Sequence, residues 1–241
     1  MILKTNLYFQ AIERVSIGSV QHIAPVFGAL IFAIVFIWFS KKKLSNHHQK
    51  KAIHYVAIIV SLTVASFHIY KITLGNYQVK SDLPLYLCSL IALLVPLFTY
   101  KKAYWMYEIL VFWIIAGTLQ GVITPDIAEG FPSFDYFRYW VVHLGLLLII
   151  FYATVVFKMR PRFKSVFKSI LALQVYVAMM VATNIILDAN YFYLNEKPQS
   201  ASLLDYFGEW PYYILVTQLI LIPYFLIIYL PFYLVNKKSS T

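Results

Sequence analysis

The sequence is short of charge, of acidic residues and of cysteine. Only 12% of its 241 residues are charged, while 61% are hydrophobic. A water-soluble domain of this length needs far more charge to cover its surface, so lipid must solvate much of the chain. The single cysteine, Cys88, excludes a disulfide within the chain. The sequence shows no cofactor-binding motif, and we expect no cofactor.

Long apolar runs are abundant instead. Seven of them can cross a hydrocarbon core of about 30 Å, which takes roughly 20 helical residues. They run near 23–40, 52–74, 83–100, 103–124, 139–157, 166–188 and 211–235. Each run is continuous and lacks the strict alternation of a barrel strand, and only helices or closed barrels satisfy backbone groups in lipid. The sequence therefore predicts an all-α membrane protein, with residues 1–241 forming one domain of about seven transmembrane helices.

Charge is distributed unevenly between the two sides of this predicted bundle. The connections at 41–51, 101–102 and 158–168 and the C-terminal tail hold fourteen of the 20 Lys and Arg residues and no acidic residue. Nine of the 10 acidic residues lie on the other side, and the tenth, Glu108, lies within the fourth run. Because lysine-rich and arginine-rich loops stay in the cytoplasm, we expect an external N-terminus and a cytoplasmic C-terminus in a cell membrane. The net charge of +10 is thus explained without nucleic acid as a partner.

Two further features permit an ordinary structural interpretation. Gly117 and Gly121 form a GxxxG pair, which lets the fourth helix approach a neighbour closely, and we assign it to packing. The external segment 189–210 is rich in Tyr, Phe and Trp. An aromatic belt at the membrane interface is the favoured interpretation, and a lid or rim over a cavity is the alternative.

Polar residues of six predicted helices lie at one level near the outer surface. They are His22, His68, Cys88, Gln120, His143, Asn184 and Asp188. At a rise of ~1.5 Å per residue, Cys88 lies about 9 Å below the outer end of the third helix and His143 about 6–8 Å below that of the fifth. Ionisable and amide groups within a span are costly and usually face the bundle interior. We therefore expect these side chains to share a site.

One thiol among several imidazoles favours nucleophilic catalysis. A thiolate is the competent nucleophile, and a nearby imidazole can generate it and later protonate the leaving group. The third helix is predicted to begin near Asp82-Leu83-Pro84, too far from Cys88 for the helix dipole to act on the thiol. The histidine must then activate it. Each residue also has a simpler interpretation, the cysteine as a small hydrophobe, the histidines as solvated groups and Asn184 as a bond between helices.

A metal site is disfavoured. His68, His143 and Asp188 lie on three separate predicted helices, without the close ligand spacing that typical metal sites show. We therefore expect no metal at this level of the bundle.

The candidate residues lie within short motifs that follow one another along the chain. They are Gln21-His22, Leu83-Pro84-Leu85-Tyr86-Leu87-Cys88, Thr124-Pro125-Asp126, Phe131-Pro132, His143-Leu144-Gly145, Asn184, Asn190-Tyr191, Lys197-Pro198, Leu203-Leu204-Asp205 and Trp210-Pro211. This series resembles the motifs of the YwaF-like integral membrane proteins of bacteria. The resemblance covers nearly the whole chain and implies a bacterial plasma membrane as the location.

The YwaF-like family is related to a eukaryotic transmembrane acyltransferase that moves polyunsaturated acyl chains onto ether phospholipids. The resemblance implies a lipid acyltransferase, or a hydrolase of the same chemistry, with Cys88 as nucleophile and His143 as general base and then general acid. Membrane phospholipids would be the acyl donor and acceptor. Asn184, Gln120 or Asn190 would orient the imidazole or stabilise the oxyanion, a role worth about 3–4 kcal/mol per donor. His22 and His68 complete the supporting set.

Two other classes of function stay open at this point. A carrier or channel for a small solute would use the same polar cluster, although the inner half looks too apolar for a continuous path and transporters usually bind near the midplane. A receptor or scaffold without chemistry would use the aromatic segment as a contact surface. Its polar cluster would be fully satisfied by internal hydrogen bonds.

Overall fold

The computed structural model describes residues 13–238, with side chains described as far as residue 235. Within that range the chain is helical and contains no strand. Seven main helices follow one another, which we number α1 Val20–Lys43, α2 Asn46–Thr73, α3 Leu87–Lys101, α4 Tyr104–Ile123, α5 Phe134–Val155, α6 Phe163–Leu187 and α7 Tyr212–Lys238. Two short 3₁₀ turns, Tyr191–Tyr193 and Leu203–Phe207, lie between α6 and α7.

Six of the seven helices are long and apolar enough to cross a membrane. The exception is α3, which has 15 residues and therefore a length of about 22 Å at 1.5 Å per residue. That is less than the ~30 Å hydrocarbon core. The predicted all-α membrane fold is confirmed, with six full-length helices and one short one. The orientation of the termini stays a prediction.

The start of α3 differs from the predicted one. The helix begins at Leu87, and the preceding residues 83–86 form a turn in which the Leu85 N–H donates to the Leu83 carbonyl at 2.7 Å. Pro84 has no N–H to offer a helix. Two tyrosine hydroxyls complete the turn, since Tyr176 donates to the Leu85 carbonyl at 2.6 Å and Tyr191 accepts from the Leu83 N–H at 2.9 Å. The apolar run therefore begins four residues before the helix that it contains.

The fifth helix begins five residues earlier than predicted. The Ser133 hydroxyl caps α5 by accepting from the Tyr136 N–H at 3.0 Å. Asp135 and Arg138 lie in the added turn and form an ion pair with each other. These two charged residues interrupt the apolar run, which is why hydropathy alone began the segment at residue 139.

The helix α4 is central to the bundle, because it contacts α3, α5, α6 and α7. We call the end where α1, α3, α5 and α7 begin the loop end, and the opposite end the lysine end. The loop end is the predicted outer side, and the lysine end carries the basic connections. Lys4 and the side chains of Lys237 and Lys238, which the charge count includes, lie outside the described residues.

Candidate functional site

Cys88 occupies the second position of α3, directly at its N-terminus. The prediction that this helix begins too far from Cys88 for its dipole to matter was wrong. The first N–H groups of a helix have no partner inside it, and together they create partial positive charge that stabilises a nearby anion. Leu90 is the first residue whose N–H bonds backwards, to the Tyr86 carbonyl at 2.9 Å. Within the described residues, the N–H groups of Leu87, Cys88 and Ser89 make no hydrogen bond.

The thiol of Cys88 contacts α4 where that helix is distorted. Residues Ile114–Thr118 form one π-helical turn, in which the Leu119 N–H bonds to the Ile114 carbonyl five residues back. The Thr118 side chain is fully buried there, and its Oγ1 lies 3.5 Å from the Cys88 Sγ. Such wide turns are frequent at functional sites. The pattern of apolar residues gives no signal for them, and sequence reasoning missed both the turn and Thr118.

His143 contacts the same side of α4, three residues farther on at Gly121. A Cβ at position 121 would lie 3.0 Å from the His143 Nε2 and 2.9 Å from its Cδ2, so only glycine accommodates the ring in this position. The Nδ1 atom donates to the Tyr139 carbonyl at 2.8 Å, which fixes the neutral tautomer with its proton on Nδ1. Within residues 13–238 the Nε2 atom makes no hydrogen bond. The ring therefore presents an unoccupied basic nitrogen.

Tyr139 holds this imidazole from a second direction. Its ring stacks on that of His143 with centroids 3.9 Å apart and planes 19° from parallel. Its hydroxyl donates to the Gly121 carbonyl at 2.7 Å and accepts from the Asp126 N–H at 3.3 Å. The imidazole is thus fixed between α4 and the preceding turn of its own helix.

The two candidate catalytic residues meet one face of α4. Thr118 and Gly121 are three residues apart and so lie side by side on a helix, separated by about 4.5 Å along its axis. Gly117, on the same stretch, packs on Leu87, whose Cδ2 lies 3.7 Å from an added Cβ. The GxxxG pair therefore does serve packing, as expected, but the helices it brings together are the two that carry Cys88 and His143.

The predicted supporting residues Asn184 and Asn190 bind loop backbone in this structure. The buried Asn184 amide pairs with both backbone groups of Tyr191, donating to its carbonyl at 3.0 Å and accepting its N–H at 2.7 Å. The Asn190 amide bonds to the backbone of Asn195 and Glu196. Both amides shape the segment after α6, and the imidazole of His143 is held by the Tyr139 carbonyl instead.

Gln120 and His22 lie near the end of α4. Gln120 donates to the Thr124 hydroxyl at 3.0 Å. Both ring nitrogens of His22 are engaged, since Nε2 pairs with the Val122 carbonyl at 2.8 Å and Nδ1 accepts from the Gly18 N–H at 2.9 Å. The His22 ring stacks on Trp140, with centroids 5.8 Å apart. This histidine therefore ties the start of α1 to the end of α4.

His68 and Asp188 lie elsewhere at the loop end. His68 stands on α2 with its ring against Phe67 and Tyr77, and its buried Nδ1 has no partner among the described residues. Asp188 is exposed and pairs with Lys80 at 2.5 Å. In the described part of the chain, no three His, Cys, Asp or Glu side chains gather in a way that would hold a metal ion.

The segment 189–210, which we call the aromatic loop, covers this end of the bundle. Tyr191 is fully buried, and the rings of Tyr191 and Tyr193 pack on Tyr86, two residues before Cys88. The Tyr193 hydroxyl donates to Asp126 at 3.2 Å, which ties the loop to the end of α4. Tyr206 and Trp210 are exposed. The loop therefore packs on the start of α3 and also exposes aromatic rings, and its role as an interfacial belt or as a lid stays a prediction.

A comparison with known families finds a match. The model of the TMEM164 family matches residues 17–229. The chain belongs to the TMEM164 family, a family of transmembrane proteins. The match spans α1 to most of α7 and so covers every residue of the candidate site. The narrower assignment to bacterial YwaF-like proteins stays a prediction. No curated protein and no solved structure matches the chain.

Proposed function

We propose that this protein is a membrane-embedded lipid acyltransferase, or an acyl hydrolase of the same chemistry, with Cys88 as nucleophile and His143 as proton carrier. One observation carries the proposal. The thiol lies at the N-terminus of α3, the unoccupied Nε2 lies on α5, and both side chains contact a single turn of α4. Covalent catalysis needs a nucleophile, a basic imidazole and a group that orients the imidazole, and Cys88, His143 and Tyr139 supply these three groups around this turn of α4.

The first half-reaction transfers an acyl group to the enzyme. The Cys88 thiol gives its proton to the His143 Nε2, and the sulfur attacks the carbonyl carbon of a phospholipid ester. The tetrahedral intermediate collapses as the ester C–O bond breaks, and the protonated imidazole returns the proton to the departing lysolipid oxygen. The product is a thioester on Cys88.

The second half-reaction regenerates the thiol. The hydroxyl of an acceptor lipid, or water in a hydrolase, gives its proton to His143 and attacks the thioester carbonyl. The C–S bond breaks, and the thiolate recovers the proton from the imidazole. The Tyr139 carbonyl stabilises the imidazolium in both steps by accepting from Nδ1, which bears a proton in either charge state.

The negative oxygen of the tetrahedral intermediates needs donors. The free N–H groups of Leu87, Cys88 and Ser89 belong to Cys88 and its two neighbours in the chain, and backbone donors at a helix start are suited to this task. Asn184 and Asn190, which sequence reasoning had proposed for it, have their amides engaged by the loop. We therefore assign this role to the α3 backbone ahead of the asparagines.

Lipid as substrate is supported by an apolar groove in the bundle, although neither Cys88 nor His143 lines that groove. A groove of about 350 Å³ lies between α1, α2 and α5 and is lined by apolar and aromatic residues, among them Phe32, Val60 and Leu144. Such a lining suits hydrocarbon better than a polar solute. We further propose that the loop end faces the outer leaflet of a cell membrane, since the basic connections all belong to the other end.

The alternatives receive less support. A solute carrier needs polar groups along a path, yet Gln174 is bonded to Gln218 at 2.8 Å and Glu108 to Ser165 and Lys168. A scaffold without chemistry needs a fully satisfied polar cluster, yet the His143 Nε2 has no partner in the described residues.

The test is the reactivity of the thiol. Because Cys88 is the single cysteine, a maleimide with a long alkyl chain reports on this residue alone in native membranes. We expect His143→Ala to slow labelling about a hundredfold, the lower range for loss of a general base. His68→Ala removes another imidazole of the loop end and should leave the rate unchanged. Slow labelling that is equal in the wild type and His143→Ala would mean that Cys88 has only a packing role, and it would favour the solute-carrier interpretation.

A further inference from the structure

The hydroxyl of Thr118 behaves differently from every other threonine hydroxyl in the described residues. The other seven donate to a backbone carbonyl three or four residues back in their own helix or turn, and they belong to Thr63, Thr73, Thr99, Thr124, Thr154, Thr183 and Thr217. Thr118 makes no such bond, and the one hydrogen-bond partner of its hydroxyl is the Cys88 sulfur at 3.5 Å. Back-bonding is the usual way to satisfy a threonine within a membrane helix.

The cause lies in the π-helical turn. Residues Ile114–Thr118 wind with bonds to the fifth residue, so the Ile114 carbonyl accepts from the Leu119 N–H. Thr118 closes this widened turn, and its side chain is fully buried against α3. A hydroxyl that gives up its local acceptor in a water-poor interior loses free energy unless another acceptor replaces it.

We propose that Thr118 is a positioning residue that donates its hydroxyl hydrogen to the Cys88 sulfur and stabilises the thiolate, which attacks the ester in the first half-reaction and departs from the acyl group in the second. This inference rests on the proposed function, because a neutral thiol is a weak acceptor and gains little from the bond. A thiolate gains more, since hydrogen bonds to charged groups are the stronger ones. Thr118 and the start of α3 then act on the sulfur from two sides.

The chain offers a matched set of variants for the test. Thr118→Val keeps the shape and removes the hydroxyl, Thr118→Ala removes it without the added methyl group, and Thr118→Ser keeps it. Thr217→Val makes the same exchange at a half-buried threonine whose hydroxyl bonds only to the Tyr213 carbonyl. Labelling of Cys88 by the long-chain maleimide is measured from pH 6 to 10 in membranes that hold equal amounts of protein.

We expect Thr118→Val and Thr118→Ala to slow labelling at neutral pH about tenfold, the low end for a hydrogen bond to a charged group. The pH of half-maximal labelling should rise in both, while the rate at high pH stays that of the wild type. Thr118→Ser and Thr217→Val should match the wild type at every pH. A purely structural role would instead lower the rate by a constant factor at all pH values, and that result would overturn the inference.

The outcomes separate this inference from the proposed function. Unchanged labelling in Thr118→Val and Thr118→Ala, with slow labelling in His143→Ala, would remove Thr118 from the mechanism and leave the Cys–His pair intact. A shifted pH profile in Thr118→Val with normal labelling in His143→Ala would keep the threonine–sulfur bond and contradict the proton carrier. If the valine variant does not accumulate in membranes, the alanine variant decides by the same criteria.

Discussion

Two polar sites within the membrane-spanning helices, one around Glu108 and one around His143, differ in how their side chains are bonded. At the lysine end, Glu108 is 7% exposed and accepts from the Ser165 hydroxyl at 2.7 Å and from Lys168 at 2.6 Å. At the loop end, His143 is 8% exposed and has one bonded nitrogen, while its Nε2 has no partner within residues 13–238. The Glu108 carboxylate therefore has a partner at each oxygen, whereas the second ring nitrogen of His143 is available to a proton.

The starts of two helices, α6 and α3, differ as well. At the lysine end, the start of α6 is closed by two hydrogen bonds, since the Arg162 N–H donates to the Ser165 hydroxyl at 2.9 Å and the Ser165 N–H donates to the Arg162 carbonyl at 2.9 Å. At the loop end, α3 begins at a turn whose residues have no side-chain cap, and its first N–H groups are free. The start of α3 therefore offers backbone donors for an anion beside Cys88.

The largest effect on the labelling rate should come from a methyl group added between α4 and α5. Gly121→Ala adds a Cβ 3.0 Å from the His143 Nε2, which forces the ring away from its position. A displacement of about 1 Å at a reacting group costs about a hundredfold in rate, so we expect Cys88 labelling to fall by that factor. Gly117→Ala is the matched control, because its Cβ makes an ordinary contact of 3.7 Å with Leu87. Equal rates in both variants would mean that the position of His143 is irrelevant to the thiol.

An intermediate effect, on stability alone, should follow from Asn184→Ala. The substitution leaves the N–H and carbonyl of the buried Tyr191 without partners, which should lower the free energy of unfolding by about 2 kcal/mol. Thermal denaturation followed by tryptophan fluorescence measures this, and Asn195→Ala, an exposed residue of the same loop, should lose less. The labelling rate of the folded protein should not change. A fall like that of His143→Ala would restore Asn184 to the catalytic role that the sequence suggested.

The smallest effect should come from the lysine end. Lys168→Met removes one partner of Glu108, and because the lysine side chain is half exposed we expect a loss of only about 1 kcal/mol in unfolding free energy. Lys164→Met, on an exposed face of the same helix, should lose nothing measurable. Cys88 labelling should be unaffected in both. Slower labelling in Lys168→Met would show that the Glu108 site is coupled to the Cys88 site, which would contradict their separate roles.

Hydropathy predicted the helices because the lipid environment requires a long apolar run to be helical. A run of about 20 apolar residues has few alternatives in a bilayer, and the segments found from sequence correspond to α1–α7. The predicted helix boundaries are wrong where an apolar residue is not helical or a charged residue is. Residues 83–86 are apolar but form a turn, and the first turn of α5 carries Asp135 and Arg138 yet is helical.

The candidate site was predictable only in part. Cys88 and His143 could be matched by depth and motif, and the structure brings both side chains to one turn of α4. The amides of Asn184 and Asn190 could not be assigned from sequence, because their partners are backbone groups of a loop. Thr118 gave no signal at all, since a single widened turn leaves the pattern of apolar residues unchanged.

The central claim is that Cys88 carries an acyl group, and trapping that group tests it most directly. Membranes containing the protein are supplied with phospholipids whose acyl chains bear an alkyne tag, and the protein is then examined for tagged lipid. We expect a covalent acyl adduct on Cys88 that neutral hydroxylamine releases, as it does for thioesters, and that is absent in Cys88→Ala. Tagged acyl chains that reach acceptor lipids equally well in Cys88→Ala would contradict it.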